Sequence, residues 1–190
     1  MRFRHLALAA ALLLPALQAQ AKPVAYALQP ATSSVGFEAD FGPDHITGDM
    51  PVSAADLVLD FDHVANSTID VTLDVTGAKA SFPFAAQAMK GPKVLDSEQF
   101  PVIHFLSTSV TPNAEGASVA GDVTIRGITR PVTLQASIYR QKGTAEGDLR
   151  QLTVQLKGSV RRSDFGATGW ADMVGDEVRL TILARIEQAP

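Results

Sequence analysis

The sequence predicts an all-β protein in which roughly eight to ten antiparallel strands with short connections form a sandwich or a barrel. Three observations support this prediction. Apolar and polar residues alternate along several segments, and such period-two alternation places every second side chain on one face of a strand. Turn signals rich in glycine, proline, asparagine and aspartate separate these segments. No internal repeat or break in composition divides residues 22–190, so we expect a single domain there.

The strands differ in how clearly the alternation marks them. Alternation is regular in four segments, at 69–75, 132–138, 152–156 and 178–182. Less regular candidates lie at 24–29, 33–41, 57–61, 102–110 and 118–126. The apolar residues of each segment share one phase, so one face of the sheet is predicted to be apolar and the other to meet water.

One segment has the character of a helix. Residues 84–90 are good helix formers, and the run stops at Gly91 and Pro92. Residues 93–100 are expected to add another short turn. One or two short helices between strands suit either a lid across a barrel end or a connection packed on the sheet, and both interpretations stay open.

The first 21 residues have the pattern of a secretory signal peptide. Arg2 and Arg4 precede an apolar run at 6–17 that is broken only by Pro15, and Ala19 and Ala21 supply the small residues of a cleavage site. The run is shorter than the stretch of about 20 apolar residues that spans a bilayer. We therefore expect residues 1–21 to be removed and residues 22–190 to form a barrel domain in the periplasm.

Composition limits the classes of partner. The chain carries 16 Lys and Arg against 20 Asp and Glu, and the charges are scattered. This balance predicts no binding of nucleic acid and disfavours anionic membrane surfaces, because both reward clustered cations. The chain has no cysteine, so it forms no disulfide and holds no haem through thioethers.

No short motif indicates catalysis or metal binding. His45, His63 and His104 do not stand at spacings that would let two of them share a metal ion, and no nucleophile elbow or phosphate-binding loop is present. We predict no enzyme, no metal site and no cofactor. Two alternatives stay open: an enzyme acting on a lipid at the barrel mouth, and a structural or interaction module with a filled core.

Residues 161–166 have the most distinctive local chemistry outside the leader. Our interpretation is structural: Arg162 and Asp164 pair, Phe165 seals a barrel end, and Gly166 permits a backbone angle that other residues avoid.

Several longer motifs resemble one family. They are YALQPATSSVGF at 26–37, LDSEQFPVIHF at 95–105, VAGDVTIRGITRPV at 119–132 and RSDFG at 162–166, in that order along the chain. With them the chain resembles the YceI-like family of periplasmic polyisoprenoid-binding proteins over nearly all of 24–187. It departs from the family pattern at 80–89, which is apolar and rich in alanine here and more polar in many members.

The resemblance implies a lipocalin-like antiparallel β-barrel of about eight strands whose apolar tunnel holds an isoprenoid lipid of the polyprenyl or quinone type. Transient contact with a membrane or a membrane protein, and a dimer, are compatible with that role. Inward candidates to line the lipid follow from the apolar phase of the strands: Val71, Leu73, Phe105, Ile125, Leu134, Val154 and Leu180. Alternation does not distinguish a hollow lumen from one filled by side chains.

Overall fold

A computed structural model describes residues 22–140 and 143–190, and the predicted signal peptide lies outside them. The chain forms eleven strands and one α-helix in this part. The first six strands are β1 (Val24–Leu28), β2 (Ser34–Phe41), β3 (Asp44–Met50), β4 (Val52–Leu59), β5 (Thr68–Asp74) and β6 (Lys79–Ala80). Helix α1 (Pro83–Lys90) precedes β7 (Val102–Asn113), β8 (Gly116–Ile125), β9 (Ile128–Arg140), β10 (Gln151–Arg161) and β11 (Val174–Gln188).

The sheet closes into a barrel because β1 pairs with β4 on one side and with β11 on the other. The ring of eight antiparallel strands runs β1-β4-β5-β7-β8-β9-β10-β11. Strand β2 pairs with the first part of β11 after a 3-10 turn at Pro30–Thr32, and β3 pairs with β2 and leads into β4 across Pro51. Closure confirms the predicted barrel and excludes the sandwich.

The sequence prediction missed strand β3. Its inward positions are Ile46, Gly48 and Met50, so glycine interrupts the apolar phase on which the prediction depended. The predicted helix at 84–90 is confirmed, and Pro83 at its first turn supplies the fixed backbone angle that suits a helix start. Among the described residues, no helix is long and apolar enough to cross a membrane.

Side chains fill one end of the barrel. Tyr26, Leu57, Leu152 and Ile186 form a buried cluster there, and Leu152 has no exposed surface. The Tyr26 ring meets Phe61 edge to face with centroids 5.8 Å apart, and its hydroxyl donates to the Leu149 carbonyl at 2.9 Å. This closed end supplies close packing, in which each buried leucine contributes about 2–5 kcal/mol relative to alanine.

Glycines on the inner face make room for large inward side chains on neighbouring strands. A methyl group on Gly121 would lie 2.5 Å from Cζ of Phe105, and one on Gly48 would overlap Cζ of Phe37. A methyl group on Gly158 would lie 2.6 Å from a terminal carbon of Leu134. Each large side chain therefore lies flat over a glycine, against the wall of the barrel.

A buried arginine organises the loop between β10 and β11. Arg162 is 8% exposed, and its guanidinium donates four hydrogen bonds of 2.7–2.9 Å, all to backbone carbonyls, which belong to Ala167, Gly169, Val174 and Gly175. The predicted pair with Asp164 is therefore wrong, because the fork of the guanidinium is turned to the loop backbone. Phe165 is buried, and Gly166 has a positive φ of 70°, as expected for its position.

Candidate functional site

The barrel encloses an apolar cavity of about 570 Å³. This volume falls within the range of about 300–1,000 Å³ that is typical of small-molecule sites. Every strand of the ring contributes inward side chains to its wall, and α1 contributes Phe84, Ala85, Ala88 and Met89. The cavity extends from the closed end to the end that carries α1 and the loop held by Arg162.

All seven inward candidates predicted from the sequence lie on the wall of this cavity: Val71, Leu73, Phe105, Ile125, Leu134, Val154 and Leu180. Only Leu134 is buried, at 5% exposure, and the other six are half-buried although they point into the barrel. Inward side chains stay accessible only when they face open space, so the lumen is hollow at these positions. That they contact a lipid stays a prediction.

Few polar groups reach the cavity. Asp60 and Arg162 are its charged lining residues, and the remaining polar side chains are Ser33, Ser34 and Ser67. The guanidinium of Arg162 is occupied by the carbonyls described above. The wall therefore suits an apolar chain, and it offers little to orient a polar substrate for reaction.

Asp60 organises its own loop at the cavity wall. Its carboxylate accepts hydrogen bonds from the backbone N–H groups of Asp62 and His63, at 3.0 and 2.7 Å, and from the Asn66 side-chain amide at 3.0 Å. The bond from Asn66, followed by that from His63, holds the pKa of Asp60 below its ordinary value of 3.8. The charge is thus satisfied within the loop.

We expect Asp60→Asn to lower stability near neutral pH and to have little effect in acid. A lowered pKa means that folding favours the ionised form, so the contribution is present above the ordinary pKa and is lost as the pH falls through the lowered one. Urea denaturation of both proteins near pH 7 and near pH 3 measures this. Asp62→Asn, at an exposed neighbour, is the control, and an Asp60→Asn deficit of equal size at both pH values would contradict the assignment.

His45, His63 and His104 lie outside the cavity wall. His45 Nδ1 lies 3.0 Å from Asp40, His104 Nε2 lies 2.7 Å from Asp70, and His63 is in the Asp60 loop. Within the residues that the structure describes, no group of three or more His, Asp or Glu side chains could hold a metal ion. The prediction that the chain has no metal site stays a prediction.

Exposed apolar side chains surround the end of the cavity at α1. We call Phe82, Phe84, Trp170 and Met173 the mouth rim; they are 41%, 83%, 40% and 48% exposed, and all four line the cavity. Ile138 is a further exposed lining residue, near the other end. The sequence analysis did not identify the mouth rim, although two phenylalanines flanking Pro83 and a tryptophan after Gly169 are a signal for exposed aromatics.

Contacts between distant segments bring Phe82, Trp170 and Met173 of the mouth rim together. The Phe82 ring lies 6.4 Å from that of Phe41, and the N–H of Gly42, the next residue, donates to the Met173 carbonyl. The N–H of Met173 donates in turn to the Trp170 carbonyl. Lys93 Nζ lies 5.9 Å from the centroid of the Trp170 ring, which connects this loop to the segment that follows α1.

Comparison with known sequences supports the resemblance. The family model described as YceI-like domain matches residues 26–186. The UPF0312 protein YE1254 of Yersinia enterocolitica is 27% identical over 118 residues, and a UPF0312 protein of Yersinia pestis is similar to the same degree. The match covers 62% of this chain and 61% of each relative, so it spans less than two thirds of their length.

Solved structures share the fold. BcnA of Burkholderia cenocepacia superposes with a TM-score of 0.73 at 20% identity, covering 84% of this chain and 99% of that one. The YCEI protein of Campylobacter jejuni gives 0.60 at 20% identity, covering 74% and 85%. A polyisoprenoid binding domain from Saccharophagus degradans, implicated in plant cell wall breakdown, gives 0.61 at 11% identity, covering 87% and 99%. At these identities the likeness shows the architecture.

Proposed function

The chain belongs to the YceI-like domain family, and from that membership we propose that it is an exported binding protein that holds a long apolar isoprenoid lipid in its lumen. The single observation that carries the proposal is the hollow, apolar cavity of about 570 Å³ running from the closed end to the mouth rim. A filled structural module would bury its inward side chains, and Leu73, Phe105 and Leu180 stay half-buried.

An isoprenoid chain fits the chemistry of this wall. It is slender, branched and apolar, and covering each methylene favours the bound state by about 0.8 kcal/mol relative to water. The lipid otherwise resides in a bilayer, so the difference that decides loading and release is that between lumen and membrane. Because both surroundings are apolar, that difference is small, which suits a carrier that meets a membrane or a membrane protein.

The class of lipid rests on two supports. The Saccharophagus degradans domain is described as polyisoprenoid binding, and it shares the barrel over 87% of this chain. The lining also holds few polar groups beyond Asp60 and Arg162, which favours a cargo whose buried part is hydrocarbon. We propose a polyprenyl or quinone tail for this cargo.

We also propose that the protein is not an enzyme. No histidine lies on the cavity wall among the described residues, and the Asp60 and Arg162 charges are bound to their own loops. General acid–base chemistry at the mouth would need a positioned group with a free proton site.

Organic extraction of the purified, untagged protein, followed by mass spectrometry, tests the cargo. We expect an isoprenoid lipid in about equimolar amount, and protein delipidated before extraction serves as the control. Protein that retains no lipid, and that takes up no fluorescent farnesyl derivative after delipidation, would contradict the proposal.

Export is proposed on the pattern of Arg2, Arg4 and the run at 6–17. We expect the mature protein to begin at or near Lys22 and to be released with the periplasmic fraction. The intact mass of the purified protein measures the start. Retention of Met1 in protein that sediments with membranes would show that the segment is an anchor, whereas Ala21→Arg should block cleavage if it is a signal peptide.

A further inference from the structure

The mouth rim gathers four of the nine large apolar side chains that are exposed among the described residues. Phe84 is the most exposed of its residues, at 83%, and it also lines the cavity. Apolar side chains held in water at the entrance of an apolar cavity indicate a surface that is covered when the protein works. The rim is continuous with the lumen, so whatever covers it also faces the cargo.

The charges beside the rim point to the chemistry of the partner. Residues 76–95, which include α1, contain Lys79, Lys90 and Lys93 and no acidic residue. Elsewhere the chain is acidic overall, and the net charge that disfavours anionic surfaces comes from other segments. Asp49, the register partner of Lys79, and Asp172, between Trp170 and Met173, offset part of this local charge.

Lys93 links the charged and aromatic features. Its Nζ lies 5.9 Å from the centroid of the Trp170 ring, and its carbonyl accepts a hydrogen bond of 2.8 Å from the Gly169 N–H. Tryptophan and lysine side by side are suited to the interfacial region of a bilayer, where an aromatic ring meets the headgroups and an ammonium meets phosphate. A lysine beside an exposed tryptophan at the mouth therefore favours a lipid surface as the partner.

We propose that the mouth rim docks on the surface of a lipid bilayer, with Phe82, Phe84, Trp170 and Met173 entering the boundary between headgroups and acyl chains. This inference rests on the proposed function, because the docked mouth would pass the isoprenoid chain between bilayer and lumen. Lys79 and Lys93 then face lipid phosphates and strengthen docking on anionic lipid, whereas the Lys90 ammonium donates to the Thr76 carbonyl beside Asp74. In this arrangement the isoprenoid chain moves between bilayer and lumen without passing through water.

Vesicle flotation tests the docking surface. The probes are vesicles of phosphatidylglycerol with phosphatidylethanolamine, and vesicles of phosphatidylcholine alone. We expect wild-type protein to float with the anionic vesicles and Phe84→Ser to bind about tenfold more weakly, the effect of losing one buried phenylalanine. Tyr139→Ser is the matched control, because Tyr139 is a 53% exposed aromatic residue outside the cavity wall.

Reversing the charge of two lysines provides a second test of the docking surface. Lys79→Glu with Lys93→Glu should weaken binding to anionic vesicles more than binding to phosphatidylcholine, and added salt should reduce the difference. Wild-type protein that does not float, or equal losses in Phe84→Ser and Tyr139→Ser, would overturn the docking proposal. Binding to anionic vesicles that the double variant leaves unchanged would overturn the role of the lysines.

Lipid content separates this inference from the function on which it rests. If wild-type protein retains an isoprenoid lipid on purification but does not bind vesicles, only the docking proposal is contradicted. If wild-type protein binds vesicles through Phe84 but retains no lipid, the carrier function is contradicted. The protein would then be a barrel that docks on membranes.

Discussion

Replacing Arg162 by methionine is expected to lower the free energy of unfolding by about 3–5 kcal/mol, the range for removing one partner of a buried charged network. The guanidinium donates to the Ala167 and Gly169 carbonyls of the loop between β10 and β11 and to two carbonyls at the start of β11, whereas methionine donates to none. Several carbonyls would then stay buried without a donor. Urea denaturation of delipidated protein measures the loss of stability. Amide hydrogen exchange should show the largest loss of protection at residues 167–175.

Two further variants separate geometry from charge. Arg162→Lys keeps a cation but replaces a planar fork with a single ammonium, so we expect most of the loss to remain. Arg161→Met changes the exposed neighbouring arginine, and its effect should lie within about 0.5 kcal/mol. Comparable losses in Arg161→Met and Arg162→Met would contradict the assigned role of Arg162.

Leu152→Ala is expected mainly to lower stability, and Leu180→Ala mainly to weaken lipid binding. Leu152 has no exposed surface, packs at the closed end and does not line the cavity, so its truncation should cost about 2–5 kcal/mol. Leu180 is half-buried on the cavity wall, and its β10 register partner is Gly158. Its truncation should cost less than that range and weaken retention of a farnesyl probe by about tenfold.

The pair is informative because the chemical change is the same in both variants. Denaturation of the delipidated proteins gives the stability loss, and titration with a fluorescent farnesyl derivative gives the affinity. We expect Leu152→Ala to bind the probe as wild type does at temperatures where it is folded. Should Leu180→Ala lose as much stability as Leu152→Ala without losing affinity, the lumen would behave as a filled core.

The inward positions could be predicted from the sequence because strand geometry alone decides them. Val71 and Leu73 share a phase in β5, and period two puts both on one face whatever the neighbouring strands do. The motifs at 95–105 and 119–132 could indicate the barrel family for a similar reason, because each is a continuous stretch of sequence. Alternation gives no indication of the role of Asp60, because its carboxylate bonds to N–H groups two and three residues along the chain.

Features that depend on the meeting of distant segments could not be predicted. The mouth rim joins Phe82 and Phe84 to Trp170 and Met173 through contacts that only the folded chain creates. Arg162 was assigned to Asp164, two residues away, because the sequence does not show that the loop wraps its carbonyls around the guanidinium. Whether the lumen is hollow depends on cross-strand register, which places Gly121 beside Phe105.

The three inward glycines affect the width of the lumen at their positions. At Gly158 an added methyl group would lie 2.6 Å from a terminal carbon of Leu134 and 3.1 Å from the Thr133 carbonyl oxygen, so the leucine would turn into the lumen and the β9 backbone would shift slightly. A relative with alanine at that position would have a narrower bore inside the same barrel. Under the proposed function, the thickness of the lipid chain that the lumen admits can therefore change by one carbon at a time, without any change in strand number or barrel closure.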